Sequence, residues 1–147
     1  MNQKEINQKR AGERSSPVQM SGISQRGEKY KFSASERQDV VEIVLEGEIT
    51  TGTINKLMGA IRELVESMNP KKLLVDARAL KGRFGYTAAY FRVRDYPSSF
   101  YKIKIALVDI AENTDYQSFH EYIAVNSGFL LKWFVDIRAA RHWLRDN

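Results

Sequence analysis

The sequence predicts a single α/β domain with a mixed sheet, and three observations predict it. Short β-branched runs alternate with segments of helical period, in the order β-β-α-β-α-β-α-β-α. Strands separated by helix-length segments are joined by right-handed crossovers, which makes most of the sheet parallel. The chain has 147 residues, 43% of them hydrophobic, which suits one domain with a real core.

Each element has its own local signal. Residues 1–28 are polar, with isolated apolar residues (Ile6, Val18, Met20, Ile23). They read as a disordered tail, because they cannot bury enough apolar area to offset the entropy of ordering. The domain then occupies 29–147. Residues 30–34 read as a short strand and 35–39 as a polar turn. The run VVEIVLEGEI over 40–49 is a second strand, with Val41, Ile43 and Leu45 on one face and Glu42 and Glu46 on the other. The two strands pair as an antiparallel hairpin.

Thr50 and Thr51 are N-cap candidates for a first helix. Its apolar face is Ile54, Leu57, Met58, Ile61, Val65 and Met68, and Asn69-Pro70 stops it. Leu73 to Val75 is a central strand ending in Asp76, and residues 78–86 read as a loop with Gly82 and Gly85. A short helix follows over about 87–95, closed by Pro97. IKIALV over 103–108 is a buried strand ending in Asp109. A third helix follows Asn113 and ends at Ser127-Gly128. The last strand spans 129–134, and Asp136 caps a final helix with Ile137, Ala140 and Leu144 facing inward.

Composition removes several function classes. With no cysteine there is no disulfide, thiolate metal site or cysteine nucleophile, and a reducing cytoplasmic setting is the default. Two histidines, His120 and His142, lie in different segments and do not make a histidine-rich metal site. No apolar run approaches the roughly 20 residues of a membrane helix, and the N-terminus lacks the apolar stretch of a secretory signal. No metal, cofactor or catalytic residue is expected. Charge is uneven: residues 71–104 carry nine Lys/Arg against two Asp/Glu, a basic patch that suits nucleic acid, anionic lipid or an acidic protein face, or is simply a solvated surface.

The segments VLEGEIT, KLLVDARALKG, KIALVD and FVDIRAARHWL, taken with the element order, carry a resemblance. Over about residues 30–145 the chain resembles the SpoIIAA-like group, relatives of STAS domains and more distantly of the CRAL-TRIO lipid-binding fold. The resemblance implies a four- or five-stranded mixed sheet with helices chiefly on one face. It also implies a non-catalytic regulatory or protein-interaction module. STAS regulators place their partner face at the loop after the third strand and the start of the next helix, where a serine can be phosphorylated. The matching stretch here, DARALKGRFGYT, has no serine. Thr87 is the nearest hydroxyl and the candidate phosphosite. The CRAL-TRIO side implies the alternative, a carrier or sensor of a small hydrophobic anion.

The residues themselves point to the same stretch. KGRFGYT has neither P-loop nor dinucleotide spacing. Aromatics interleave with bases from Lys81 to Lys104, a composition that suits a protein interface, an amphipathic small ligand or, less well, single-stranded nucleic acid. The candidate partner surface is Arg78, Lys81, Arg83, Phe84, Tyr86, Thr87, Tyr90 and Arg94, with a protein partner or a second copy as its occupant. Asp76 and Asp109, at strand C-terminal ends, could form a site or cap turns and pair with a base such as Arg78. His120, on an apolar helix face, reads as a hydrogen-bonded core histidine or a catalyst; Asp76, Asp109 and His120 converge on one cleft only in the second case.

Overall fold

The computed structural model describes residues 18–23 and 29–146. Six strands form one sheet in the order of the chain: β1 (Val18–Ile23), β2 (Lys29–Arg37), β3 (Val40–Glu48), β4 (Lys72–Lys81), β5 (Lys104–Val108) and β6 (Leu130–Phe134). The first three are antiparallel and the last three continue parallel from β3. Helices α1 (Thr51–Met68), α2 (Tyr86–Arg94) and α3 (Thr114–Asn126) make the crossovers, and α4 (Ile137–Arg145) ends the fold.

All the strands and helices read from the sequence are present in the predicted order, and β1 is an addition. It lies inside the segment expected to be a disordered tail, and pairs with β2 from Val18↔Ala34 to Ile23↔Lys29. A hairpin partner needs backbone N–H and C=O groups rather than an apolar run, so composition did not mark it. The rest of the expected tail lies outside the described residues.

A sheet laid down one strand after another, with crossovers of one hand, carries its crossover helices on one face. The core divides accordingly. Val41, Ile43, Leu73, Ala77, Ile105, Leu107 and Leu131 pack with Leu57, Ile61, Leu64 and Val65 of α1, Val93 of α2 and Ala124 of α3. On the opposite face Val40, Leu74, Ala106 and Val108 pack with Ala140 and Leu144 of α4. The helices therefore lie chiefly, but not wholly, on one side.

Local chemistry sets the joints. Thr50 is the N-cap of α1: its Oγ1 accepts from Thr53 N at 3.1 Å, and Thr53 Oγ1 accepts from Thr50 N at 3.0 Å, a reciprocal capping box. Asn69 closes the helix in the left-handed region at φ 48°. Gln38 and Asp39, at φ 51° and 67°, make a hairpin turn of the kind that demands positive φ at both central residues. The turn needs only those two residues, so β2 continues to Arg37 rather than ending at Ala34.

The largest departure is at 78–81, expected as loop and found as strand. The pairing register shifts between Val44/Glu46, after which Glu46, Gly47 and Glu48 pair with Ala79, Leu80 and Lys81. The bulge puts Ala77 and Leu80, three residues apart, into the same core. Period-two alternation is lost there, so the pattern alone looks irregular.

Candidate functional site

Two structures meet at the C-terminal edge of the parallel strands, the edge where open α/β sheets place their sites. One is a buried polar network, the other an apolar cleft beside it.

Asp109, fully buried just after β5, is the hub of the network. Arg83 donates to it through Nε at 3.0 Å and Nη2 at 2.6 Å. The same guanidinium donates to the carbonyls of Ala77 at 3.0 Å and Leu80 at 3.1 Å, and also to that of Gly82. Asp109 further accepts from Gln117 Nε2 at 2.7 Å, Asn113 Nδ2 at 3.1 Å and the Ile110 amide at 2.8 Å. Burial opposes the charge on this carboxyl. The hydrogen bonds from Arg83, Gln117, Asn113 and Ile110 together outweigh it and hold the group below its ordinary range.

The chain of bonds continues inward and fixes a tautomer. Gln117 must turn its amide nitrogen to the carboxylate, so its Oε1 faces His120 Nδ1 at 3.2 Å. Nδ1 therefore carries the proton, and Nε2 accepts from the Tyr96 hydroxyl at 2.8 Å. Burial pushes the pKa of His120 down to about 4, so the ring is neutral at ordinary pH. Burial also raises the hydroxyl of Tyr96, and that of Tyr116 to about 12. Among the described residues no buried side-chain nitrogen or oxygen lacks a partner.

The cleft, about 130 Å³, opens between the sheet and α1, α2 and α3. Leu45, Ile54, Met58, Ile61, Val75, Leu107 and Leu131 make its apolar walls. Arg83, Gln117, His120, Tyr96 and Tyr116 stand at its polar end, and Ala89 and Arg92 line it from α2. Arg92 lies over the Phe84 ring at 5.4 Å and reaches Asn55 of α1 at 3.4 Å, bridging the gap between the two helices.

The structure gathers some of the expected surface residues and separates others. Lys81, Tyr86, Thr87, Tyr90 and Arg94 are exposed on the outer side of α2 and the strand end before its loop. Arg94 donates to the Tyr90 hydroxyl at 3.0 Å. Phe91, 60% exposed and edge-on to Tyr90, joins this patch. The buried pair Ala89 and Val93 marks the inward face of this helix. Phe84 is half-buried at the cleft. Arg78 is turned to the α4 face, where it grips Asp76 with bonds of 2.9 and 2.8 Å. Arg83 is sequestered by Asp109 and is no surface cation. Asp109 and His120 share one network, while Asp76 belongs to the other face of the sheet.

No family model matches the chain, and no curated protein does. Solved structures do. An anti-sigma factor antagonist from Mycobacterium paratuberculosis is 17% identical, with a TM-score of 0.53, covering 89% of this chain and 96% of that one. An uncharacterized protein of the DUF3478 family with a SpoIIAA-like fold, from Shewanella loihica PV-4, is 16% identical, with a TM-score of 0.55, covering 84% of this chain and 99% of that one. Element order, sheet topology and these two likenesses agree: the chain has a SpoIIAA-like α/β fold.

Proposed function

We propose that this domain is a non-catalytic regulatory module that presents α2 and the segment before it to a protein partner. One observation carries the reading: α2 buries only Ala89 and Val93, and leaves the large rings of Tyr86, Tyr90 and Phe91 exposed. Exposed aromatics flanked by Lys81 and Arg94 are the composition of an interface hot spot facing an acidic partner. The likeness to an anti-sigma factor antagonist is compatible with such a role. Thr87, exposed in the first turn of α2, is the site where phosphorylation would place negative charge at a helix N-terminus and alter that face. Asp109 and His120 are each held by neighbouring side chains in a closed set of hydrogen bonds, a structural use rather than acid–base work.

The test is a comparison of variants against a partner recovered by co-purification. Tyr90→Ala and Phe91→Ala should each weaken binding by about 1–3 kcal/mol in calorimetry. Lys81→Glu should act mainly on the association rate, more so at low salt. Thermal midpoints should hardly change. Unaltered affinity in both aromatic variants would remove this face from consideration.

The cleft supports a second reading, a sensor of a small hydrophobic anion. Arg83 is neutralised by Asp109, so the cation for an anionic head is Arg92 at the mouth, whose hydrogen-bond partner is the neutral Asn55. Because α2 lines the cleft with Ala89 and Arg92 and carries the exposed rings outside, an occupant of the cleft would bear on the partner face. Hexanoate should raise the thermal midpoint of the wild type, with about 2.7 kcal/mol of stabilisation at a hundredfold excess over Kd. Ala89→Leu should abolish the effect by filling the space, and Arg92→Ala should lose it for hexanoate but not for hexanol. No saturable response in the wild type would end this reading.

A further inference from the structure

The α4 face of the sheet holds a second, chemically opposite site. A polar cavity of about 300 Å³ lies where the β2–β3 hairpin meets the end of α4, lined by Arg37, Gln38, Val40, Glu42, Arg141 and Arg145. We infer that this cavity binds a small phosphate dianion, as the free ion or as a phosphomonoester.

The argument begins with Glu42, a carboxylate buried on β3. Arg141 satisfies it in the fork-to-fork manner, Nε to Oε2 and Nη2 to Oε1, both at 2.8 Å. This fixes the guanidinium plane at the cavity and leaves its Nη1 without a partner among the described residues. The carboxylate faces Arg141 with both oxygens, so its repulsion of a second anion is largely cancelled by the guanidinium it holds.

Two more guanidinium groups complete the ring. Arg145 lies one helical turn beyond Arg141 on α4, on the same side of the helix. Arg37 is the last residue of β2, in register with Val40 across the tight turn, so its backbone position is set by the hairpin. Neither the Arg37 nor the Arg145 side chain has an ion pair or hydrogen bond among the described residues. Three guanidinium groups against one carboxylate thus leave two positive charges facing a cavity. A divalent tetrahedral oxyanion matches that excess in charge and offers several oxygens to planar donors arriving from different directions. Lys72 and Lys104, paired in register on the neighbouring strands, add to the positive field at the same end of the sheet.

The measurement is a titration of the full chain at constant ionic strength with inorganic phosphate, glycerol 3-phosphate and, as a control, chloride, following the arginine Nε–Hε NMR signals. Both phosphates, or one of them, should give saturable shifts at Arg37, Arg141 and Arg145, and chloride should not. Equal affinity for the two assigns the site to the free ion, and tighter binding of the ester assigns it to a phosphorylated small molecule. Arg37→Ala/Arg145→Ala should weaken binding at least tenfold with the circular dichroism spectrum and thermal midpoint intact. Arg141 is left in place because its loss would orphan buried Glu42. Linear shifts that chloride reproduces, saturable shifts elsewhere in the chain, or affinity unchanged in the double variant would each overturn the inference. It is independent of the partner face and the cleft, which lie across the sheet.

Discussion

Asp109→Ala is expected to lower the stability of the domain by about 3–5 kcal/mol, the range for breaking a buried ion pair by removing one partner. Total stability for a domain of this size is about 5–15 kcal/mol, so the variant stands near the unfolding threshold. The cause is what the substitution leaves behind. Arg83 is only 11% exposed as a side chain and has nowhere else to direct Nε. Asn113 and Gln117 lose their acceptor in the same step, and the freed Gln117 no longer fixes His120. Urea unfolding of Asp109→Ala should show the midpoint falling with little change in slope. Asp109→Ala/Arg83→Met should recover part of the loss, because it removes the stranded charge as well. A single variant within 1 kcal/mol of wild type would show that water or another group satisfies Arg83 once the carboxylate is gone.

The fold and the candidate surfaces are unevenly legible in the sequence, for physical reasons. Elements with a strict period were readable: the α1 stripe of Ile54, Leu57, Ile61 and Val65 is buried as its spacing requires. So were local caps, Thr50 and Asp136, since a cap is a contact between near neighbours. Arg83 was not readable as a buried residue. Its partner Asp109 lies 26 positions away, and an arginine in a glycine-containing loop looks like a surface charge until the fold folds it back. Nor does the sequence place Phe91, because an aromatic in a short helix suits core and surface alike. Only the contacts of Ala89 and Val93 reveal that its face is outward. The Arg37–Arg141–Arg145 cavity gave no sequence signal at all. Its parts come from the two ends of the domain, and Glu42, the residue that organises it, reads as an ordinary solvent-facing strand residue. The pair Glu42–Arg141 spans 99 positions. Long-range ion pairs are invisible to pattern reasoning because no periodicity constrains them.

Acid should weaken the fold in a window set by His120. In the native state this ring is neutral, with a pKa near 4 because burial disfavours its charge. In the unfolded chain it takes up a proton at about pH 6.5. Between those values the unfolded state binds more protons than the native one, so stability is full above about pH 6.5 and declines as the pH falls toward 4. The gap corresponds to about 3 kcal/mol over the whole window. Asp109 acts lower. Its folded pKa is depressed, so its contribution persists above the unfolded carboxyl value and is lost only on further acidification. The geometry adds a reason for the His120 shift: a proton arriving on Nε2 would meet the Tyr96 hydroxyl, whose own proton already points there. Urea midpoints at pH 7.0, 5.5 and 4.5 should fall progressively for the wild type. His120→Gln, which has no titrating group, should start lower at pH 7 and remain nearly level across the same range. The ring nitrogens should report a neutral Nδ1–H tautomer by NMR well below pH 6. A wild-type protein whose stability is flat from pH 6.5 to 4.5, or a His120 that titrates near 6.5 while the chain stays folded, would mean that the ring is reached by water and that the buried relay from Tyr96 to Asp109 does not hold in solution.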